Sequence, residues 1–93
     1  MTIKYKQIVA LQKAHNVYDL QQLINTGEVW KFEGSYGRAA MAALEDGACM
    51  LPKKRHRDYY GQIVPARTDL KAGAKGTFLN CARYWENYLI NVQ

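Results

Sequence analysis

The chain has 93 residues, of which 48% are hydrophobic and 23% are charged. This length allows one domain with a small core and excludes most cofactor-dependent enzymes, while the composition excludes an intrinsically disordered chain. We therefore predict a single domain over residues 1–93 that leaves much of its surface available to a partner.

Two helices are predicted in the first part of the chain. The first covers residues 3 to about 14, where apolar positions recur at helical spacing, although its start also alternates like a strand. The second begins after Asn16 as N-cap and ends at Gly27, which can adopt the left-handed conformation of a C-cap. The apolar face of this second helix consists of Val17, Leu20, Leu23 and Ile24.

A third helix is predicted after a short strand or extended lead-in at residues 28–33. Ser35 is its predicted N-cap, and Gly47 is expected to end it. One face carries mainly small side chains, which allow another backbone to approach closely, so we expect this face to lie flat against a sheet. That face consists of Tyr36, Ala39, Ala40, Ala43 and Leu44.

The strands of that sheet are predicted in the middle of the chain. Residues 48–51 form the first strand, and residues 58–65 form the second, interrupted by a bulge or turn at Gly61. Residues 66–76 form a long surface loop. Thr77 then begins a last helix whose apolar residues recur at helical spacing over roughly four turns. The predicted fold class is α+β, a short antiparallel sheet packed with three to four helices that include a C-terminal helix.

The positive charge of the chain is concentrated in one segment. The chain has 13 lysine and arginine residues against 8 aspartate and glutamate residues, which gives a net charge of +5. Residues 51–75 hold this whole excess, because Asp58 and Asp69 are the only acids there. Such a segment attracts polyanions such as nucleic acid, acidic protein surfaces or anionic lipid. The predicted anion-facing residues are Lys53, Lys54, Arg55, Arg57, Arg67, Lys71 and Lys75.

Two adjacent tyrosines follow the basic run and extend the candidate binding site. Aromatic rings next to cationic side chains can stack on unpaired bases or on arginine planes. Tyr59 and Tyr60 are therefore predicted as stacking or packing partners of the basic set. In the alternative interpretation, residues 53–57 are a solvated turn between strands, and the two tyrosines divide between core and surface.

Motifs for catalysis or metal binding are absent from the sequence. It contains no zinc-protease helix motif, nucleophile elbow, phosphate-binding P-loop or dinucleotide fingerprint, so we predict no catalytic residues, no metal and no cofactor. The least implausible enzyme is a nuclease that uses Tyr59, Tyr60 or His56 together with arginines that position the nucleic-acid backbone. Cys49 and Cys81 lack the spacing of a zinc site or a disulfide scaffold, and we predict that both thiols are reduced and buried. Trp30 and Trp85 are predicted to belong to the core.

Membrane insertion and helix-turn-helix recognition are both disfavoured. The longest apolar run is residues 39–44, whereas a membrane-spanning helix needs about 20 residues. The first residues also lack the apolar region of a secretory signal, so we predict a cytoplasmic protein without membrane contact. About seven residues separate the second and third predicted helices, whereas a helix-turn-helix motif has a turn of three or four residues.

Part of the chain resembles small phage and prophage accessory proteins. The resemblance lies in residues 25–30, 34–47, 57–67 and 73–76. Specifically, residues 25–76, roughly half of the chain, resemble phage anti-CRISPR inhibitors directed at type I-F systems. These inhibitors share no motif across the whole class.

This resemblance implies a non-enzymatic, stoichiometric inhibitor in the cytoplasm of an infected bacterial host. Its partner would be the host CRISPR-Cas surveillance complex, contacted through Cas protein subunits and guide RNA, and binding would block hybridisation of target DNA. The charge pattern agrees with this, because such a complex holds phosphates in a channel. The alternative is a small basic DNA- or RNA-binding regulatory protein, which would bind naked nucleic acid with a steep salt dependence.

Overall fold

Four α-helices make up most of the described chain, which covers residues 3–31 and 34–91 of a computed structural model. The radius of gyration of 12.9 Å matches the roughly 12 Å expected for a compact chain of this length. The α+β class and the C-terminal helix are confirmed. In chain order the elements are α1 (Tyr5–Ala14), α2 (Tyr18–Thr26), a 3-10 turn (Glu28–Lys31), α3 (Ser35–Asp46), β1 (His56–Arg57), β2 (Ile63–Val64) and α4 (Phe78–Asn91).

The helix ends follow local hydrogen-bonding groups, with two corrections to the predicted caps. Asn16 is not the N-cap of α2, because it adopts a left-handed φ of 62° and Val17 occupies the cap position. Ser35 is the first residue of α3, and Gly34 before it is the N-cap. Gly27 and Gly47 end α2 and α3 in the left-handed conformation, as predicted.

The segment after α2 turns instead of extending. Residues 28–31 form one turn of 3-10 helix, which corrects the predicted strand or lead-in, and residues 32–33 lie outside the described ranges. The amide of Trp30 donates to the carbonyl of Gly27 at 3.2 Å, so the left-handed glycine leads directly into the turn. Val29 is fully buried and anchors this turn in the core.

Residues 48–51 cross the core without joining a sheet, which corrects the predicted first strand. All four residues are buried, as their apolar character indicated. Side chains, and not a neighbouring strand, satisfy much of their backbone. The carbonyl of Ala48 accepts hydrogen bonds from Gln12 Nε2 at 2.9 Å and from Trp85 Nε1 at 3.2 Å. Gln21 bonds both the amide and the carbonyl of Met50, each at 2.9 Å.

The sheet in the described chain is a small hairpin that includes part of the basic run. β1 pairs antiparallel with β2, with His56 opposite Val64 and Arg57 opposite Ile63. The first pair is partly buried, while the second pair is exposed. The turn contains Gly61 with a φ of 80°. The chain therefore reverses at the point where a bulge or turn was predicted to interrupt the strand of residues 58–65.

The small-residue face of α3 packs against the 3-10 turn and α2, and not flat against a sheet as predicted. Ala40, Ala43 and Leu44 are buried, whereas Tyr36 and Ala39 are exposed. Two strands of two residues each are too small to cover a helix face.

The last helix closes the core from the other side. The hydroxyl of Thr77 accepts a hydrogen bond from the amide of Asn80 at 3.3 Å, which supports its predicted place at the helix start. α4 packs against α1 and buries Cys81, Ala82 and Trp85. The predicted apolar position at Val92 lies outside the described residues. Among the helices in the described ranges, none is long and apolar enough to span a membrane.

Candidate functional site

The loop of residues 66–76 is anchored at both ends to the segment that precedes the basic run. The amide of Arg67 donates to the carbonyl of Pro52, and the amide of Leu51 donates to the carbonyl of Gly76, each at 2.8 Å. Gly76 has a φ of 95°, and a Cβ there would lie 2.7 Å from Leu51 Cδ1. The structure therefore brings both predicted basic stretches, residues 53–57 and 66–76, to the same region.

A bidentate ion pair links these two stretches. Arg55 donates from Nε to Asp69 Oδ2 at 2.7 Å and from Nη2 to Oδ1 at 3.0 Å, and the amide of Ala66 also donates to Oδ2. The hydrogen bonds from Arg55 and Ala66 lower the pKa of Asp69 to about 2, and the same pair raises the pKa of Arg55. Arg55 is therefore largely neutralised by its neighbour.

Arg67 is not one of the exposed cations, which corrects its predicted place on the loop surface. Its side chain reaches inward, and the residue is only 9% exposed. Nε donates to the carbonyl of Leu51 at 2.6 Å, and Nη2 donates to Asn25 Oδ1 at 3.0 Å. No described carboxylate forms an ion pair with it, and burial lowers its pKa. Arg67 therefore places a buried positive charge beneath the basic run.

The three lysines of the predicted set differ in their surroundings. Lys53 and Lys54 are exposed without a described ion pair, and the Nζ of Lys53 lies 5.9 Å from the centroid of the Tyr5 ring. Lys71 is also exposed without such a pair. Lys75 lies 3.1 Å from a carboxylate oxygen of Glu45 and donates to the carbonyl of that residue, so its charge is offset at the end of α3.

The hairpin turn presents the two predicted tyrosines. Tyr59 is 60% exposed and Tyr60 is 76% exposed, and their rings meet edge to face with centroids 5.2 Å apart. Arg57 donates to the carbonyl of Gly61 at 2.7 Å, and Asp58 Oδ1 accepts from two amides of the turn. These bonds stabilise the backbone of the turn that carries the two tyrosines at its aromatic tip and place the guanidinium of Arg57 against that turn.

A groove between α3 and the hairpin adjoins this tip. It comprises two connected hollows of about 310 and 740 Å³ that share Trp30, Met41 and Asp58 in their lining. Met41 is 54% exposed and Ile63 is 59% exposed, so the groove presents apolar side chains beside the charged groups of Asp58 and Glu45. Trp30 is partly buried and packs against the hydrophobic core, and its buried Nε1 has no hydrogen-bond partner in the described structure. The sequence signal for this groove was Met41, a large apolar residue outside the predicted buried face of α3.

A separate pocket of about 320 Å³ lies beside Lys53 and Lys54. Tyr5, Gln22 and Asn25 complete its lining. The sequence gives no sign that these three residues belong to a site, because they come from α1 and α2 and share no motif with the basic run.

The two thiols are buried, and the histidine on the hairpin is hydrogen-bonded to the backbone. Cys49 and Cys81 are both free and buried as predicted, and burial is the main cause that raises the pKa of each to about 12. His56 Nε2 bonds the carbonyl of Asn25 at 3.1 Å. Within residues 3–31 and 34–91, no group of three or more histidine, cysteine, aspartate or glutamate residues is arranged to hold a metal ion.

Protein-family models, curated proteins and solved structures were compared with this chain, and none of them matches it. The described surface combines unneutralised cations with exposed aromatic rings and an apolar groove. Such a surface can bind phosphates by charge, stack on unpaired bases and contact apolar side chains of a protein.

Proposed function

We propose that this protein is a non-enzymatic inhibitor of a type I-F CRISPR surveillance complex in the cytoplasm of an infected bacterium. It binds the guide RNA together with a Cas protein subunit and blocks hybridisation of target DNA. The proposal is supported by the resemblance of residues 25–76 to phage inhibitors of this class and by the surface chemistry of that same segment.

The observation that carries the proposal is a set of unneutralised cations in the segment that leads into an exposed aromatic tip. Lys53, Lys54 and Arg57 have no ion-pair partner in the described chain, and Tyr59 and Tyr60 follow them on the hairpin turn. A surveillance complex presents phosphates of the guide within a channel, where such cations gain most by replacing counterions. Aromatic rings at the same place add stacking on exposed bases.

The apolar groove supports a contact with protein as well as RNA. Trp30, Met41 and Ile63 line it, and aromatic residues and methionine are enriched at the centres of protein interfaces. Residues of the hairpin form part of the groove, so a partner bound in the groove would also contact the hairpin.

The chemistry of the reactive side chains favours binding over catalysis. His56 is the base that a nuclease at this surface would use, and its Nε2 is held by the carbonyl of Asn25. The thiols of Cys49 and Cys81 lie in the core with pKa values raised to about 12, so neither supplies a nucleophilic thiolate near neutral pH.

The test measures binding of target DNA by a purified type I-F surveillance complex in the presence of the protein. We expect wild-type protein to prevent DNA binding in proportion to the complex occupied. The double variant Lys53→Glu, Lys54→Glu should lose about tenfold or more in affinity for the complex, because two attractive charges become repulsive. A matched control with the same change in charge is Lys6→Glu, Lys13→Glu on α1, where neither lysine lines the groove or the pocket, and its affinity should stay within about twofold.

Two results would contradict the proposal. Absence of binding to the complex refutes it directly, and equal losses in both double variants would show that net charge alone is involved. Retardation of naked DNA or RNA with a steep salt dependence, in the absence of complex binding, would instead support the nucleic-acid-binding regulator.

A further inference from the structure

All five residues that line the pocket beside Lys53 and Lys54 have side chains that can donate hydrogen bonds or carry positive charge. Tyr5 contributes a hydroxyl, Gln22 and Asn25 contribute amides, and the two lysines contribute ammonium groups. None of the five lining residues is acidic. The volume of about 320 Å³ is large enough for one phosphate group with part of the molecule that carries it.

Arg67 adds a third positive charge behind this pocket. Its Nη2 donates to Oδ1 of Asn25 at 3.0 Å, so the guanidinium lies next to one of the lining residues, and burial lowers its pKa. Arg67 is buried and has no carboxylate partner in the described chain. A buried cation without a counter-ion is costly, and an anion in the adjoining pocket would lower that cost.

The side-chain amide of Asn25 is held by two hydrogen bonds to its oxygen. Its Oδ1 accepts hydrogen bonds from Arg67 Nη2 and Gln21 Nε2, both at 3.0 Å. Since both neighbours are donors, the assignment of oxygen and nitrogen in this amide follows from its partners. Its Nδ2 has no acceptor among the described residues, and Asn25 lines the pocket. A donor held in place by two bonds to its own oxygen is preorganised for an oxyanion.

We propose that this pocket is a phosphate-binding site in which Lys53 and Lys54 supply charge, Asn25 and Gln22 supply hydrogen bonds, and Arg67 supplies a positive field from below. A phosphate presents several strong acceptor oxygens and one to two negative charges, which matches this set of donors. Lysine binds phosphate as a point charge, so the mobile ammonium groups at the rim suit either a phosphodiester or a free phosphate. Assignment of the phosphate to guide RNA rests on the proposed function, whereas the binding of phosphate itself does not.

The experiment is a titration of ¹⁵N-labelled protein followed by NMR, at constant ionic strength maintained with sodium chloride. The first ligand is inorganic phosphate, and the second is a short oligouridylate without a terminal phosphate. We expect saturable shifts confined to the Asn25 and Gln22 side-chain amides and the backbone amides of Lys53 and Lys54. The double variant Lys53→Ala, Lys54→Ala should weaken binding about tenfold or more, and the control Lys13→Ala, Lys31→Ala should change it less than about twofold.

The two ligands distinguish the source of the phosphate. Localised shifts with oligouridylate assign the pocket to a nucleic-acid strand, and shifts with inorganic phosphate alone assign it to a free phosphate or phosphomonoester. A second variant, Gln22→Ala, removes one donor without removing charge and should weaken binding by a smaller factor, with melting curves confirming that it folds. The proposal is overturned if neither ligand shifts these amides, or if shifts spread equally over lysines elsewhere. Because the titration uses the isolated protein, its failure leaves inhibition of the surveillance complex intact as a separate question.

Discussion

Replacing Gln21 tests the central feature of the core, which is the satisfaction of a buried backbone segment by a side-chain amide. Its Oε1 accepts from the amide of Met50 at 2.9 Å and from Gln12 Nε2 at 3.0 Å. Its Nε2 donates to the carbonyl of Met50 at 2.9 Å and to Asn25 Oδ1 at 3.0 Å. Every donor and acceptor position of this amide is therefore used, within a residue that is 2% exposed.

The cost of Gln21→Leu follows from the groups it leaves unpaired. Gln12 keeps its bond to the carbonyl of Ala48, and Asn25 keeps its bond from Arg67, whereas the amide and carbonyl of Met50 lose their partner. Each buried unpaired group costs about 1–3 kcal/mol, and the added apolar burial offsets part of this, so we expect a net loss of about 2–4 kcal/mol. That is a large part of the roughly 5–15 kcal/mol by which a domain is stable.

Gln21→Glu adds a dependence on pH with a defined sign. A carboxylate still accepts from the amide of Met50 but cannot donate to its carbonyl, and burial disfavours its charge. The pKa of this carboxyl would therefore be raised in the folded state above its unfolded value of about 4.3. The folded state then binds more protons, so the stability of this variant falls as pH rises from about 4 toward 7, by about 1.4 kcal/mol for each pKa unit.

Urea unfolding, followed by circular dichroism and tryptophan fluorescence, measures both effects. The matched controls are Gln22→Leu and Gln22→Glu, at the next position in α2, where the side chain is half buried and has no hydrogen bond within the described chain. We expect these controls to change stability by less than about 0.5 kcal/mol. Stability of Gln21→Leu equal to that of its control, or a loss in Gln21→Glu that does not depend on pH, would contradict this role of the Gln21 amide.

Three further changes test other parts of the structure. Gly27→Ala should lower the free energy of unfolding by about 1–3 kcal/mol, because φ is 82° and the new Cβ would lie 2.5 Å from His56 Nδ1. Urea unfolding measures this loss, and a variant as stable as the wild type would contradict it. In the wild type, the Asp69 carboxylate stabilises the fold above pH 3.8, and this contribution is lost as pH falls toward its folded pKa of about 2. Asp69→Asn should remove it, so the melting temperatures of the two proteins should converge in acid. A difference in melting temperature that stays constant with pH would contradict this. Cys49 and Cys81 should resist alkylation at about pH 8 until the protein unfolds, since burial raises both pKa values, and mass spectrometry of native protein would reveal an accessible thiol.

The site could be predicted only in part, because the sequence gives the position of each charged residue but not the ion pairs and hydrogen bonds that it forms. Lys53, Lys54 and Lys71 are exposed as expected of a cationic segment. Arg55 looks equivalent to them in sequence, yet it is bonded to an aspartate 14 residues away. Arg67 also looks equivalent, but the Leu51 carbonyl that it reaches lies within the core. These differences arise from contacts between segments distant in the chain, and no local pattern encodes them.

The four helices and their glycine ends follow from the sequence itself, since helical periodicity and the left-handed C-caps at Gly27 and Gly47 are local properties. The path of residues 48–51 depends on tertiary structure. Their apolar composition predicts burial but not the partner of their backbone, and Gln21 supplies that partner from 29 positions away. The sequence shows that Gln21 places an amide among the apolar residues of α2. It does not show which buried backbone groups this amide binds, because those groups belong to a distant segment. Tertiary packing also brings Asn25 and Tyr5 next to Lys53 and Lys54. These residues together line a pocket that the basic run alone would not form.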